Sequence, residues 1–234
     1  MALLQISGVA SGYGEMQILW DIALAVEHGQ TVLLLGANSA GKTTLLRTII
    51  GLLPCWQGEI LFEGAPLQGL KPAARIRRGI AFMSELGVFP DLTIDENIRL
   101  GGYFLGGAEV RRRAERLFGL FPDLAKRRGE PAASLSGGQR KMLGIAKALV
   151  SEPKLLLMDE PSSGLAPVFV KQVIETLQTA ITGGTALLIA EQNVAFLALA
   201  DRGFLIEGGH VRLSGTRAEL AKNDAVKAAY FGLD

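Results

Sequence analysis

The residues Gly36-Ala37-Asn38-Ser39-Ala40-Gly41-Lys42-Thr43 fit the pattern G-x-x-x-x-G-K-[ST]. Glycine at either end lets the backbone close round an anion, and the amide N–H groups of the turn and of the helix that follows face negative charge. Lys42 adds a point charge, and Thr43 offers a hydroxyl to Mg²⁺. This is chemistry for a phosphate. Far along the chain, the apolar run 155–158 ends in Asp159-Glu160-Pro161. A strand ending in carboxylates places that charge at a sheet edge beside the phosphates. Asp159 then reads as a metal ligand acting through water, and Glu160 as the general base for an attacking water.

A third motif, Leu135-Ser136-Gly137-Gly138-Gln139, precedes a helix whose Met142, Ile145, Ala146 and Leu149 share one face. Its small residues make a second anion-binding helix start. A chain with one phosphate loop has no evident need of another, so this one is expected to serve a neighbouring copy.

These groups need a rigid frame. Short β-like runs at 3–9, 22–26, 32–35 and 59–62 are interrupted by a helix over 42–52, and apolar runs at 155–158 and 186–190 flank a helix over 168–181. Continuous apolar strands linked by helices imply a parallel sheet covered on both faces. Residues 93–150 read as helices only, which predicts an inserted helical lobe. Within it, Thr93-Ile-Asp-Glu96 fits a capping box. A helix over 109–121 carries Ala114, Leu117, Phe118 and Phe121 at helical spacing, with Arg111, Arg112, Arg113 and Arg116 on a solvated face.

Composition narrows the function. The 234 residues, 49% apolar, suffice for one large domain. Lys plus Arg (24) nearly balance Asp plus Glu (23), so no basic field points to nucleic acid. The single Cys55 forms no internal disulfide, which fits a reducing, cytoplasmic setting. The longest apolar runs fall far short of the roughly 18–20 residues that span a bilayer, so a membrane partner is another chain.

With LSGGQ at 135–139 following the phosphate loop and preceding Asp159-Glu160, the chain resembles the ATP-binding-cassette ATPases over nearly its whole length. The resemblance implies an α/β fold: a P-loop NTPase core with a mostly parallel sheet, an N-terminal antiparallel β portion and an inserted helical subdomain. The core would comprise residues 1–85 and 151–234, and the helical subdomain about 86–150. It also implies a homodimer or heterodimer of cassettes packed head to tail, with ATP and Mg²⁺ between them. Each ATP would be gripped by Gly36, Ala37, Asn38, Ser39, Ala40, Gly41, Lys42, Thr43 and Thr44 of one subunit and by Ser136, Gly137, Gly138 and Gln139 of the other. Tyr13, in Ser11-Gly-Tyr-Gly14, would stack on adenine. Within the family the chain looks most like the smaller ATP-binding subunit of branched-chain amino acid importers. The segments Phe89-Pro-Asp-Leu-Thr93 with Glu96-Asn97, Glu160 to Pro167, Glu191-Gln-Asn193 and Ala229-Tyr-Phe-Gly232 carry that likeness. It implies two transmembrane permease subunits, a solute-binding protein, and a peripheral position on the cytoplasmic face of the inner membrane. Amides or urea are the next cargo in line.

Three positions depart from the general family pattern. Ser39 stands where another Gly is usual, and a left-handed backbone there costs a non-Gly residue about 1–2 kcal/mol. Glu85 replaces a Gln that contacts Mg²⁺; a carboxylate can still ligate, but adds charge beside ATP. The neighbouring Leu86, Val88 and Phe89 either dock a helix of the membrane subunit or belong to the core. Gln192 stands where a His contacts the γ-phosphate; an amide can hydrogen-bond there but carries no proton, so hydrolysis leans on Glu160, with Lys42 offsetting charge. The rivals are a soluble phosphotransferase, which would need an acceptor pocket in place of Ser136–Gln139, and a non-transport cassette acting on DNA or ribosomes, or as a nucleotide sensor.

Overall fold

A computed structural model describes residues 2–85, 87–181, 184–223 and 226. The chain starts with two long strands, β1 (Leu4–Tyr13) and β2 (Met16–Val26), then β3 (Thr31–Leu35) and helix α1 (Lys42–Ile50). After β4 (Gln57–Phe62), the short β5 (Ala65–Pro66), α2 (Pro72–Arg77) and β6 (Ile80–Met83) comes a stretch without named strands. It holds α3 (Ile94–Gly101), α4 (Gly107–Leu120), α5 (Pro122–Lys126) and α6 (Gly137–Leu149). Then follow β7 (Leu155–Asp159), α7 (Pro167–Ala180), β8 (Ala186–Glu191), β9 (Arg202–Glu207), β10 (His210–Thr216) and α8 (Arg217–Lys222).

Two sheets result. One is antiparallel, in the order β2-β1-β4-β5; the other runs β10-β9-β3-β8-β7-β6, parallel except where β10 pairs with β9. Side chains alternate across a strand, and here both faces are buried. Leu33, Leu35, Leu156, Met158, Leu187 and Ile189 join the helical lobe in one core. Val32, Leu34, Leu155, Leu157, Ala186 and Leu188 pack with α1 and the antiparallel sheet in the other. That double burial is why these strands read as unbroken apolar runs.

The sequence reading missed β5, β6, β9 and β10 and began β2 six residues late, because all of these strands mix exposed and buried positions or lie at an edge. The Arg-rich helix forms as α4, but its arginines do not share one solvated face. Arg113 is mostly buried and donates to the Ser151 carbonyl at 2.8 Å beyond the end of α6. The Thr93–Glu96 capping box is present, with the Thr93 N–H donating to Glu96 Oε2 at 2.8 Å. Of the apolar residues after Glu85, Val88 packs against the core, while Phe89 is exposed under the Lys147 ammonium; Leu86 lies outside the described residues.

Candidate functional site

Parallel strands end at one edge of the sheet, so whatever follows them meets there. In register, Leu35 of β3 pairs with Glu191 of β8, and Asp159 of β7 pairs with Ala190. Gly36, Glu160 and Gln192, the next residues on each strand, therefore emerge side by side.

The loop after β3 is held by its own lysine. Lys42 is almost fully buried, donating to the carbonyls of Gly36 (2.8 Å) and Ala37 (2.9 Å) and standing 3.6 Å from Glu160 Oε1. Gly36 is required because a Cβ there would lie 2.5 Å from the Ile206 carbonyl oxygen, and Gly41 because its φ is 109°. Ser39 has φ 67°, the left-handed conformation in which a side chain is strained. An open cleft of about 530 Å³ flanks the loop, lined by Ala37, Asn38, Ser39, Ala40, Gln192 and the strand end Ile206–Gly208.

Thr43 donates its hydroxyl to Asp159 Oδ1 at 2.8 Å. Burial pushes the Asp159 carboxyl above its ordinary range, partly offset by that hydrogen bond. Among the described residues no three His, Cys, Asp or Glu side chains cluster as a metal cage. A hydroxyl and a single carboxylate in contact instead suit a cation such as Mg²⁺, which takes one or two protein oxygens and fills its shell with phosphate and water. Glu160 has φ 47°, a strained backbone costing about 1–3 kcal/mol, and its N–H donates to the Ala190 carbonyl at 2.9 Å.

Glu85 and Gln192 lie just after β6 and β8, the strands on either side of β7. Glu85 is exposed, and its Oε1 accepts from the Ser163 hydroxyl at 3.1 Å. The Gln192 side chain is exposed at the cleft, with its backbone N–H fixed by Glu191. Two residues that sequence reasoning gave no role are central here. Glu191 is buried, and its carboxylate accepts from the backbone N–H groups of Ser162 (2.7 Å), Gln192 (3.0 Å) and Asn193 (3.1 Å). It staples the loop after β7 to the loop after β8. An available signal was the one used for Asp159, a carboxylate closing an apolar strand. The other is Lys141 on α6, for which no motif existed.

Ser136 and Gln139 form a second capping box: Ser136 Oγ accepts from the Gln139 N–H, and Gln139 Oε1 accepts from the Ser136 N–H at 3.0 Å. The S-x-x-Q spacing carried that signal too. Gly138 packs under the Phe169 ring, whereas a Cβ on Gly137 would meet only Leu165 Cδ2, at 4.0 Å. Tyr13 ends β1, is 41% exposed, and accepts from Arg47 of α1 at 3.2 Å.

Comparisons with known proteins follow the same lines. A family model described as ABC transporter matches residues 19–163. The high-affinity branched-chain amino acid transport ATP-binding protein of Pseudomonas aeruginosa is 39% identical over 98% of this chain and 100% of its own length. The lipopolysaccharide export system ATP-binding protein of Escherichia coli is 33% identical over 100% of this chain and 99% of its own. Among solved structures, an ATP-binding cassette of an ABC transporter in its ADP conformation superposes with a TM-score of 0.87 over all of both chains at 24% identity, a likeness of fold. A subunit from Clostridium perfringens, part of the cbiONQ ABC transporter complex, gives 0.84 at 26% identity, covering 96% of this chain and 92% of that one.

Proposed function

Because this chain belongs to the ABC transporter family and is one of its ATPases, we propose that its turnover drives import of branched-chain amino acids. The import would run through two membrane-spanning permease subunits fed by a solute-binding protein. No helix among the described residues is long and apolar enough to cross a membrane. The chain would sit against the permease subunits on the cytoplasmic face.

The observation carrying the catalytic assignment is the convergence of Lys42, Thr43, Asp159 and Glu160 within contact distance at one sheet edge. The loop Gly36–Thr44 binds the phosphates through its amides, with Lys42 exchanging loop carbonyls for phosphate oxygens. Thr43 and Asp159, with Glu85 at the flank, would hold Mg²⁺, which when bound offsets charge on the phosphates. Glu160 orients and deprotonates the attacking water, Gln192 hydrogen-bonds near the γ-phosphate, and Tyr13 stacks on the base. Ser136, Gly137, Gly138 and Gln139 serve the nucleotide of a second cassette, whether identical or related. ATP then closes a dimer that two incomplete half-sites cannot close alone, and hydrolysis reopens it.

For the cargo, the support is 39% identity over the whole length of a branched-chain amino acid transport ATP-binding protein. The similarity to an export-system subunit favours the second reading, an exporter of lipid-linked cargo. Vesicles holding this chain with the membrane subunits encoded beside it should accumulate labelled leucine or valine when supplied with ATP and a binding protein. Release of lipid instead, with no amino acid uptake, would select the exporter.

A further inference from the structure

Lys141 lies on α6, five residues beyond Ser136, and is half-buried. Its ammonium donates to the backbone carbonyl of Glu85 at 3.0 Å and to that of Glu160 at 3.1 Å. Four carboxylates, Glu85, Glu191, Glu160 and Asp159, are near enough to favour its charge, against burial that pulls its pKa down. The Glu160 backbone is thus held at both of its peptide groups, by β8 through its N–H and by α6 through its carbonyl. Its left-handed φ of 47° is a conformation that persists only where neighbours over-determine it. Glu191, holding Ser162 two residues on, supports the same segment from the β8 side.

We propose that Lys141 is a positioning residue for hydrolysis: it joins the helix that begins with the Ser136–Gln139 motif to the backbone of Glu160, and so sets where that carboxylate points. This deepens the ATPase reading and rests on it. One ammonium touches the backbone at both Glu85 and Glu160. The aim of Glu160 therefore depends on where α6 sits, and α6 is the helix whose start is assigned to the partner's nucleotide. The single positive charge also offsets the carboxylate that this chain carries at position 85.

The test uses the full-length chain, comparing wild type with Lys141→Met, which keeps the stem and removes the charge and donors, and Lys141→Arg, which restores both. Steady-state ATPase, fluorescent-nucleotide binding and thermal melting are measured on each. Lys141→Met is expected to lower kcat about tenfold while KM for ATP and nucleotide affinity stay within about twofold, and Lys141→Arg to regain most of the loss. Two results would overturn the proposal: a wild-type kcat in Lys141→Met, or a loss that tracks melting or nucleotide affinity and is not regained by Arg. A wild-type chain that hydrolyses no ATP would strike at the ATPase reading itself.

Discussion

At the scale of single residues, the two glycines of the Ser136–Gln139 motif separate structure from chemistry. A methyl group on Gly138 would meet the Phe169 ring at 3.0 Å and push it aside, so a substitution there would change packing and activity together. Gly137 opens onto space, and alanine at this first helical position is a better helix former than glycine by up to about 1 kcal/mol. Gly137→Ala should therefore melt no lower than wild type. If the motif serves a partner's nucleotide as proposed, the added methyl group would obstruct the phosphate, and ATP turnover should fall about tenfold or more. Undiminished turnover in this variant, measured where wild type is dimeric, would remove the motif from the nucleotide site.

At the scale of elements, helix α4 buries Val110, Ala114, Leu117 and Phe118 and pairs charged side chains along its own surface. Glu109 accepts from Arg112 and Arg113, and those hydrogen bonds lower its pKa to about 2. A depressed carboxylate pKa stabilises the fold above the ordinary unfolded value of roughly 4.3, and the contribution fades as pH falls from there toward 2. Glu109 keeps a third of its side-chain surface in solvent (33%), so the effect belongs to the local pairing more than to global stability. In an NMR titration the Glu109 carboxyl carbon should keep its ionised shift through pH 4 and move only near 2. In Arg112→Ala with Arg113→Ala the midpoint should rise into the usual glutamate range; an ordinary midpoint in wild type would contradict the pairing.

At the scale of the whole molecule, the proposed mechanism makes this site one half of a shared site. The chain supplies the loop, the carboxylates and a capped helix start, and the two cores on either side of the parallel sheet hold these together as one body. If two copies complete each other, stopping hydrolysis should trap the pair. Glutamine at 160 can accept and donate hydrogen bonds but cannot take the water's proton. Glu160→Gln should lose about a hundredfold or more of its turnover, bind ATP as wild type does, and run at twice the mass of one chain by light scattering with ATP and Mg²⁺ present. An E160Q protein that stays monomeric with saturating ATP would argue against the paired mechanism.

What could be read in the amino-acid order was whatever local spacing encodes. The phosphate loop, the capping box at Thr93, the buried strands before Gly36 and Asp159, and the helical stretch between are patterns of neighbours within a few residues. Edge strands such as β10 escaped because half-exposed positions blur the alternation that marks a strand. The roles of Glu191 and Lys141 escaped for a different reason. Glu191 meets an amide 29 positions away, and Lys141 meets carbonyls 56 and 19 positions away. Only the register of β3, β7 and β8 and the packing of α6 against them bring these groups together. Residue types and their local spacing determined which groups could handle a phosphate, whereas tertiary structure decided how the strained Glu160 is held, because its restraints come from segments remote in the chain.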